Sequence, residues 1–397
     1  MRYYTLFRSY FLPASLVLLG SRVLPISTAL AWEFPQPPAF HTEQIPLHSG
    51  PHSDVDIISG SQFSGLKTYA NLPYLNCLSD EEANDKPYDI AVLGAPFDTG
   101  VTARPGARYG PTGIRTGSQR IAASASWSVY TGKNPLKSWA VVTDCGNVPL
   151  TWLDNNYALK QLDKAHRVVS GRRSANVSHS VTPRILTLGG DHTTTLSALR
   201  SVKERWGQVA VVHFDSHIDT WDPKVLGGGI SDYAGLNHGT FLHIAHEEGL
   251  ITNTSVHAGI RAPLARRKGD MRNDLRCGFH AITARDLDLV GASGIISRIK
   301  ERVGDAKIYI SVDIDVLDPA FAPATGTAEP GGWTSRELLT ILDGLSGVRV
   351  VGADVVEVAP VYDNAGETTV LVAAEIGKSL LGLMVDQPVK SLTDEKD

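Results

Sequence analysis

Cysteine is scarce in this chain, and no candidate helix gathers its positive charge. The three cysteines among 397 residues, Cys77, Cys145 and Cys277, allow at most one intrachain disulfide. None stands in a CxxC pair, which sets aside zinc knuckles and dithiol redox motifs and leaves the cysteines as buried or incidental residues. The net charge is −5, and Lys and Arg are scattered along the chain, so there is no electrostatic footprint for nucleic acid. Acidic residues are absent before Glu33. Uninterrupted apolar runs of membrane-spanning length are lacking too, because Pro13 and Arg22 break the N-terminal one, and no membrane partner is expected. No internal repeat is evident.

What is present is a large apolar reserve. At 42% hydrophobic residues the chain can bury a sizeable core, and one large α/β domain is preferred over two or three smaller ones. Residues 1–31 stand apart: Arg2 and Arg8, then "FLPASLVLLG", then Ala29–Leu30–Ala31 in the small-x-small pattern of a signal-peptidase site. A secretory signal is the preferred reading and a mitochondrial or other transit peptide the alternative, since the same stretch is rich in Arg and Ser. Sequons at Asn176 and Asn253 agree with secretion. Residues 32–87, with "EFPQPPAFHTEQIPLHSGPHSD", read as an irregular arm over the core, and residues 386–397 as a tail.

From Asp89 onward short β-rich runs alternate with helical stretches: "DIAVLGA", "WAVVTDC", "RILTLGG", "VAVVHFD", "SVHAGIR", "KIYISVD" and "VRVVGADVVEV". This alternation predicts an α/β fold with a mainly parallel sheet covered by helices on both faces. Three of the runs end in polar residues. In an extended segment side chains at i, i+2 and i+4 share a face, so "DSHID" turns Asp215, His217 and Asp219 the same way where the strand leaves the sheet. "YISVDIDVLDP" does the same with Asp313 and Asp315, and "LGGDH" delivers Asp191 and His192 into a loop. Ligands of open α/β sheets gather beyond the carboxyl ends of the strands, where all three clusters fall.

Carboxylates and imidazoles without thiolate form a hard, oxygen-rich donor set suited to Mn²⁺ or a similar ion. So much negative charge calls for two ions, about 3.5–4 Å apart and sharing aspartates and an activated water. The competing reading, in which each Asp merely forms a turn and each His is a core residue, holds well for one such cluster and poorly for three.

"GGDH", "DSHID" and "SVDIDVLDPAFAPATGTAEPGG" resemble the signature segments of the ureohydrolases, the family of arginase and agmatinase, over residues 88–385. The resemblance implies an arginase-like three-layer α/β/α sandwich, a homo-oligomer (trimer or hexamer), and two manganese ions at which a guanidino group is cleaved to urea and an amine. It places one ion on His192, Asp215, Asp219 and Asp313, and the other on Asp215, His217, Asp313 and Asp315, with Asp215 and Asp313 bridging. Ser216 departs from the family pattern, where Ala is common, and is expected to face away from the metals. Glu357, at the end of "VVGADVVEV", is similar to the family glutamate that pairs with the guanidinium, and His238 in "GLNHGTF" to the histidine that returns a proton to the leaving amine. Asp219 would accept a proton from the nucleophile.

The segments from Gly94 to Arg115 and from His238 to Ile251 resemble agmatinases and guanidinobutyrases more than arginases. The stretch after "DSHID" lacks the Asn and Ser groups with which arginases read an α-amino acid head, so arginine is disfavoured as substrate. Agmatine is the preferred substrate, with 4-guanidinobutyrate next and a non-catalytic metal-binding protein as the remaining alternative. Trp221 reads as packing or as a wall for an alkyl tail, and the basic run Arg266–Lys268 as a solvated loop or a partner for a carboxylate.

Overall fold

The computed structural model describes residue 63 and residues 65–395. The expected leader at 1–31, the arm up to residue 62 and residue 64 lie outside the described residues, as do the last two residues. Among the described residues the apolar runs form eight strands: β1 (Ile90–Gly94), β2 (Val142–Asn147), β3 (Arg184–Leu188), β4 (Ala210–Phe214), β5 (Ser255–Ile260), β6 (Phe279–Thr283), β7 (Lys307–Asp313) and β8 (Arg349–Val356). They make one sheet in the order β2, β1, β3, β8, β7, β4, β5, β6, with every neighbouring pair parallel. Seven of these strands contain the runs seen in the sequence. The eighth, β6, is an edge strand whose residues are partly exposed, so it carries no continuous apolar signal.

The helices are α1 (Asp80–Ala83), α2 (Gly110–Gly117), α3 (Asn155–Ser170), α4 (Thr194–Trp206), α5 (Asp232–Gly235), α6 (Phe241–Glu247), α7 (Arg267–Arg276), α8 (Asp286–Val303), α9 (Ser335–Gly344) and α10 (Thr368–Asp386). The two-residue period of the strands divides them between two faces. Ile90, Val92, Ile308 and Ile310 pack with Ile114 of α2, Ile295 of α8, Leu338 of α9 and Ile376 of α10. On the other face Ala91 and Leu93 pack with Leu162 of α3, and Val209 and Val211 with Leu199 of α4 and Phe241 of α6. The result is the expected α/β/α sandwich. Helix α10 is apolar and long enough to cross a membrane, and its apolarity is accounted for by Val370, Ala373, Ile376, Leu380 and Met384, all buried in the first of these cores.

One cysteine pair is not incidental. Cys77 and Cys145 form a disulfide that ties the segment ahead of β1 to the edge strand β2. Closing a loop of 68 residues restricts the unfolded chain enough to stabilise the fold by about 4 kcal/mol. The same segment is held by the Tyr69 amide, which donates to Asp144 Oδ2 at 2.6 Å, and by the Tyr69 hydroxyl, which donates to Ala374 O of α10 at 2.7 Å. Asp144 is in turn gripped by Arg115 of α2 through Nε (2.8 Å) and Nη2 (2.9 Å).

Candidate active site

Strands β3, β8, β7 and β4 are consecutive neighbours at the centre of the sheet, and their carboxyl ends carry His192, Glu357, Asp313 with Asp315, and Asp215 with His217 and Asp219. Sheet order therefore gathers residues that are far apart in the chain. After β3 the chain needs Gly190, since a Cβ there would come within 1.8 Å of Phe97 O. At β4 and β7 the aspartates make the turn themselves. Asp215 Oδ1 accepts from the His217 amide at 2.5 Å, and Asp313 Oδ1 accepts from the Asp315 amide at 2.8 Å. Each aspartate thus spends one oxygen on its own turn and leaves Oδ2 for the site. Turn-forming and ligating are compatible roles here. Asp219 (φ 50°) and Glu357 (φ 61°) both lie in the left-handed region, where side-chain-bearing residues are strained, as is common at functional sites.

The oxygens and nitrogens that remain face one another. His192 Nδ1 lies 3.1 Å from Asp215 Oδ2, 3.1 Å from Asp219 Oδ2 and 3.3 Å from Asp313 Oδ2. Its other nitrogen, Nε2, lies 2.7 Å from Ser311 Oγ, which itself donates to Asp354 Oδ1 at 2.6 Å. Ser311 must then accept from Nε2–H, so in the neutral ring Nδ1 presents a lone pair to three carboxylates. On the other side His217 Nδ1 lies 3.3 Å from Asp215 Oδ1 and 3.1 Å from Asp315 Oδ2. Two donor sets emerge: His192, His213, Asp215 and Asp219, and Asp215, His217 and Asp315, with Asp215 common to both. Asp313 falls outside both sets and reaches the first only through Oδ2.

A cluster of acceptors is repulsive unless a cation lies among them. His192 Nδ1, His213 Nε2 and Asp215 Oδ2 are buried and have no hydrogen-bond partner. Burial and the neighbouring Asp215 push Asp219 up to about 6, and burial with Asp315 and Asp215 drives Asp313 well above the usual carboxylate range. Burial alone would lower His192, yet the carboxylates around it hold it far above the ordinary imidazole value. Positive charge is what this pocket stabilises, and donors of N and O type fit a divalent metal.

Glu357 is buried rather than an exposed strand-end charge. Its Oε1 accepts from the His192 amide at 2.8 Å and lies 2.9 Å from His238 Nδ1, while Oε2 has no partner. Burial disfavours charge on His238, but Glu357 beside it outweighs burial and holds the imidazole at about 9. The Thr102 amide opposes that, because it points at Nε2 from 3.0 Å and can donate only to an unprotonated nitrogen; the Thr102 hydroxyl is 2.7 Å away. Asp191 stays out of the donor sets and braces the loop instead, accepting from the amides of Gly100 (2.8 Å) and Thr193 (3.0 Å).

One residue sits differently from its sequence expectation. Ser216 does not turn away from the ligand residues: its buried hydroxyl donates to Asp315 Oδ1 at 2.8 Å and lies 3.0 Å from His217 Nδ1, so it orients that carboxylate. Trp221 lines the cavity above His217 and Asp219, with its indole N–H on Asp270 at 3.3 Å. Arg266, Arg267 and Lys268 open α7 in solvent, and none lines that cavity. His213, Ser311 and Thr102 went unnoticed in the sequence. For His213 and Ser311 the signal was there, since each lies two residues ahead of a ligand aspartate and hence on the same strand face. Thr102, in a loop with no periodicity, offered none.

The chain matches the Arginase family over residues 88–382. It is 50% identical over 345 residues to a protein named putative agmatinase 1 of Schizosaccharomyces pombe, covering 85% of this chain and 86% of that one. It is 34% identical over 311 residues to the guanidinobutyrase of Pseudomonas aeruginosa, covering 78% and 90%. Among solved structures, the proclavaminate amidino hydrolase from Streptomyces clavuligerus superposes with a TM-score of 0.70 at 33% identity, covering 82% of this chain and 99% of that one. By sequence and by fold alike, the chain belongs to the arginase family and is an amidinohydrolase.

Proposed function

We propose that this site hydrolyses a small guanidino compound to urea and an amine with two manganese ions bound, and that the substrate is agmatine. The observation that carries the reading is Glu357 Oε2, a buried carboxylate oxygen without a partner beside the metal-type donors. It suits the planar fork of N–H donors of a guanidinium. His192, Asp215, Asp219 and Asp313 would hold one ion, and Asp215, His217, Asp313 and Asp315 the other. When bound, such ions bring the pKa of water towards neutrality and so supply the nucleophile that a resonance-stabilised guanidinium requires. The protein's own groups do the rest. Glu357 fixes the guanidinium carbon in place, Asp219 takes a proton from the nucleophile, and His238 returns one to the departing amine, with the Thr102 hydroxyl at its Nε2.

The cavity over the donors, about 120 Å³, is walled by Trp221, Leu226 and Gly239 and has no Lys or Arg in its lining. An acidic side chain, Glu329, stands 3.7 Å from His217 Nε2. These features favour a substrate tail that is cationic over one that ends in carboxylate. Burying arginine's carboxylate unpaired would cost several kcal/mol, a discrimination of about a hundredfold or more. Steady-state kinetics on agmatine, 4-guanidinobutyrate and arginine with manganese should rank agmatine first, with kcat/KM at least about a hundredfold above arginine. Arginine turning over as well as agmatine would remove the assignment, and preference for guanidinobutyrate would move it to the second substrate.

We also propose that the chain enters the secretory pathway and loses residues 1–31. The Cys77–Cys145 disulfide supports an oxidising destination. Of the two sequons, Asn176 uses its side-chain amide on Asp89 (2.6 Å) and Trp139 O (2.9 Å), whereas Asn253 is exposed in a turn and open to a glycan. Non-reduced intact mass of protein from its native source should show the shortened chain with the cysteines linked; an intact Met1 overturns the proposal.

A further inference from the structure

The loop between β1 and α2 reaches the active site through Thr102 and is fastened on either side of it. Thr102 sets its amide 3.0 Å and its hydroxyl 2.7 Å from His238 Nε2. Two residues earlier the Gly100 amide donates to Asp191 Oδ2 at 2.8 Å, and Gly100 O accepts from the His238 amide at 3.1 Å. At the base of the loop the buried Asp98 accepts from the Gly106 amide through Oδ2 at 2.9 Å and from Arg108 Nε through Oδ1 at 2.5 Å.

The chain that follows β7 supplies another wall of the same cavity, which Thr102 and Thr327 both line. Arg104 joins the two segments. Its Nη2 donates to Thr325 O at 3.0 Å and its Nε to Gly326 O at 3.3 Å, and the guanidinium lies 4.7 Å from the centroid of the Tyr362 ring. The Tyr362 hydroxyl in turn donates to Pro105 O at 2.8 Å, so ring and loop are fixed to each other. The segments also meet closely at the backbone, since a Cβ on Gly326 would come within 2.5 Å of Arg104 O. A rigid planar fork suits two successive carbonyls, and an aromatic face beneath it adds a cation–π contact.

We infer that Arg104 is a specificity-determining positioning residue: by tying the Thr102 loop to the carbonyls of Thr325 and Gly326, it fixes the width of the substrate cavity and so which tails fit. Arg104 is not among the described residues that line the cavity, and it acts through Thr102 and Thr327, which are. Walls that cannot shift discriminate by size, and one methylene in a fitted pocket is worth about 10–200-fold in kcat/KM. Walls free to part give that discrimination up. The inference rests on the proposed function and deepens it, by naming what in the fold measures the tail.

The test compares agmatine with its homologues of one methylene fewer and one more, in protein loaded with manganese. Arg104→Met, which keeps the stem and removes the donors, should keep both ions on dialysis, while the wild-type preference among the three compounds falls by at least about tenfold, chiefly through KM. Arg104→Lys keeps the charge but cannot hold both carbonyls in one plane, and should fall between Arg104→Met and wild type. Tyr362→Phe removes the bond to Pro105 O, leaves the ring in place and should shift the preference the same way by less. If Arg104→Met does not fold, the Lys and Phe variants decide. Unchanged preference in the folded variants overturns the inference, and so does metal loss or an equal fall for all three compounds, which would make Arg104 a general brace; the proposed function stands in each case. Wild-type protein that hydrolyses none of the three overturns the proposed function and this inference with it.

Discussion

Asp313→Ala should lose at least one metal ion on dialysis and lower urea release by at least about a thousandfold, the cost of losing several kcal/mol of metal-supplied stabilisation. Asp313 Oδ1 shapes the turn that delivers Asp315, and Oδ2 stands 3.3 Å from His192 Nδ1. Removing the carboxylate therefore disturbs both sides of the centre: a donor leaves one side, and the chain presenting Asp315 to His217 loses its brace on the other. The fold should persist, because β7 keeps its apolar residues Ile308, Ile310 and Val312 in the core. Metal analysis alongside a urea assay checks it, and full occupancy in the variant would show that Asp313 is not a ligand.

His238→Ala should give the opposite pattern, with both ions retained and turnover reduced by about 10²–10⁴, the range for loss of a general acid. His238 touches no member of the donor sets. Its contacts are Glu357 through Nδ1 at 2.9 Å and Thr102 through Nε2. Glu357 keeps the His192 amide as a donor, so the guanidinium anchor stays in position when the imidazole is gone. The loss should appear in kcat more than in KM. Depletion of metal in this variant, or unchanged kcat, would overturn the role given to His238.

The contrast between these two variants follows a division already visible in the chain. Asp215, Asp219, Asp313 and Asp315 were legible because strand period and turn chemistry are local: alternate residues share a face, and an aspartate at a strand end bends the chain. Ser216 was misjudged by the same rule. Alternation turns its backbone position away from its neighbours, but once the chain leaves β4 the period no longer holds, and the hydroxyl returns to Asp315. The disulfide was invisible for another reason. Three cysteines permit several pairings, and only the docking of residues 65–88 along β2 brings Cys77 to Cys145.

From the sequence alone came the strands, the parallel sheet with helices on both faces, the donor types and the family's segments, since each depends on residues within a few positions of one another. The tertiary structure decided the rest. Apolar strands are interchangeable in what they bury, so their pattern does not choose among sheet orders; packing of the whole core does. That order sets β3, β8, β7 and β4 side by side, and only there do His192 and Asp313, and Glu357 and His238, acquire the separations on which their chemistry depends.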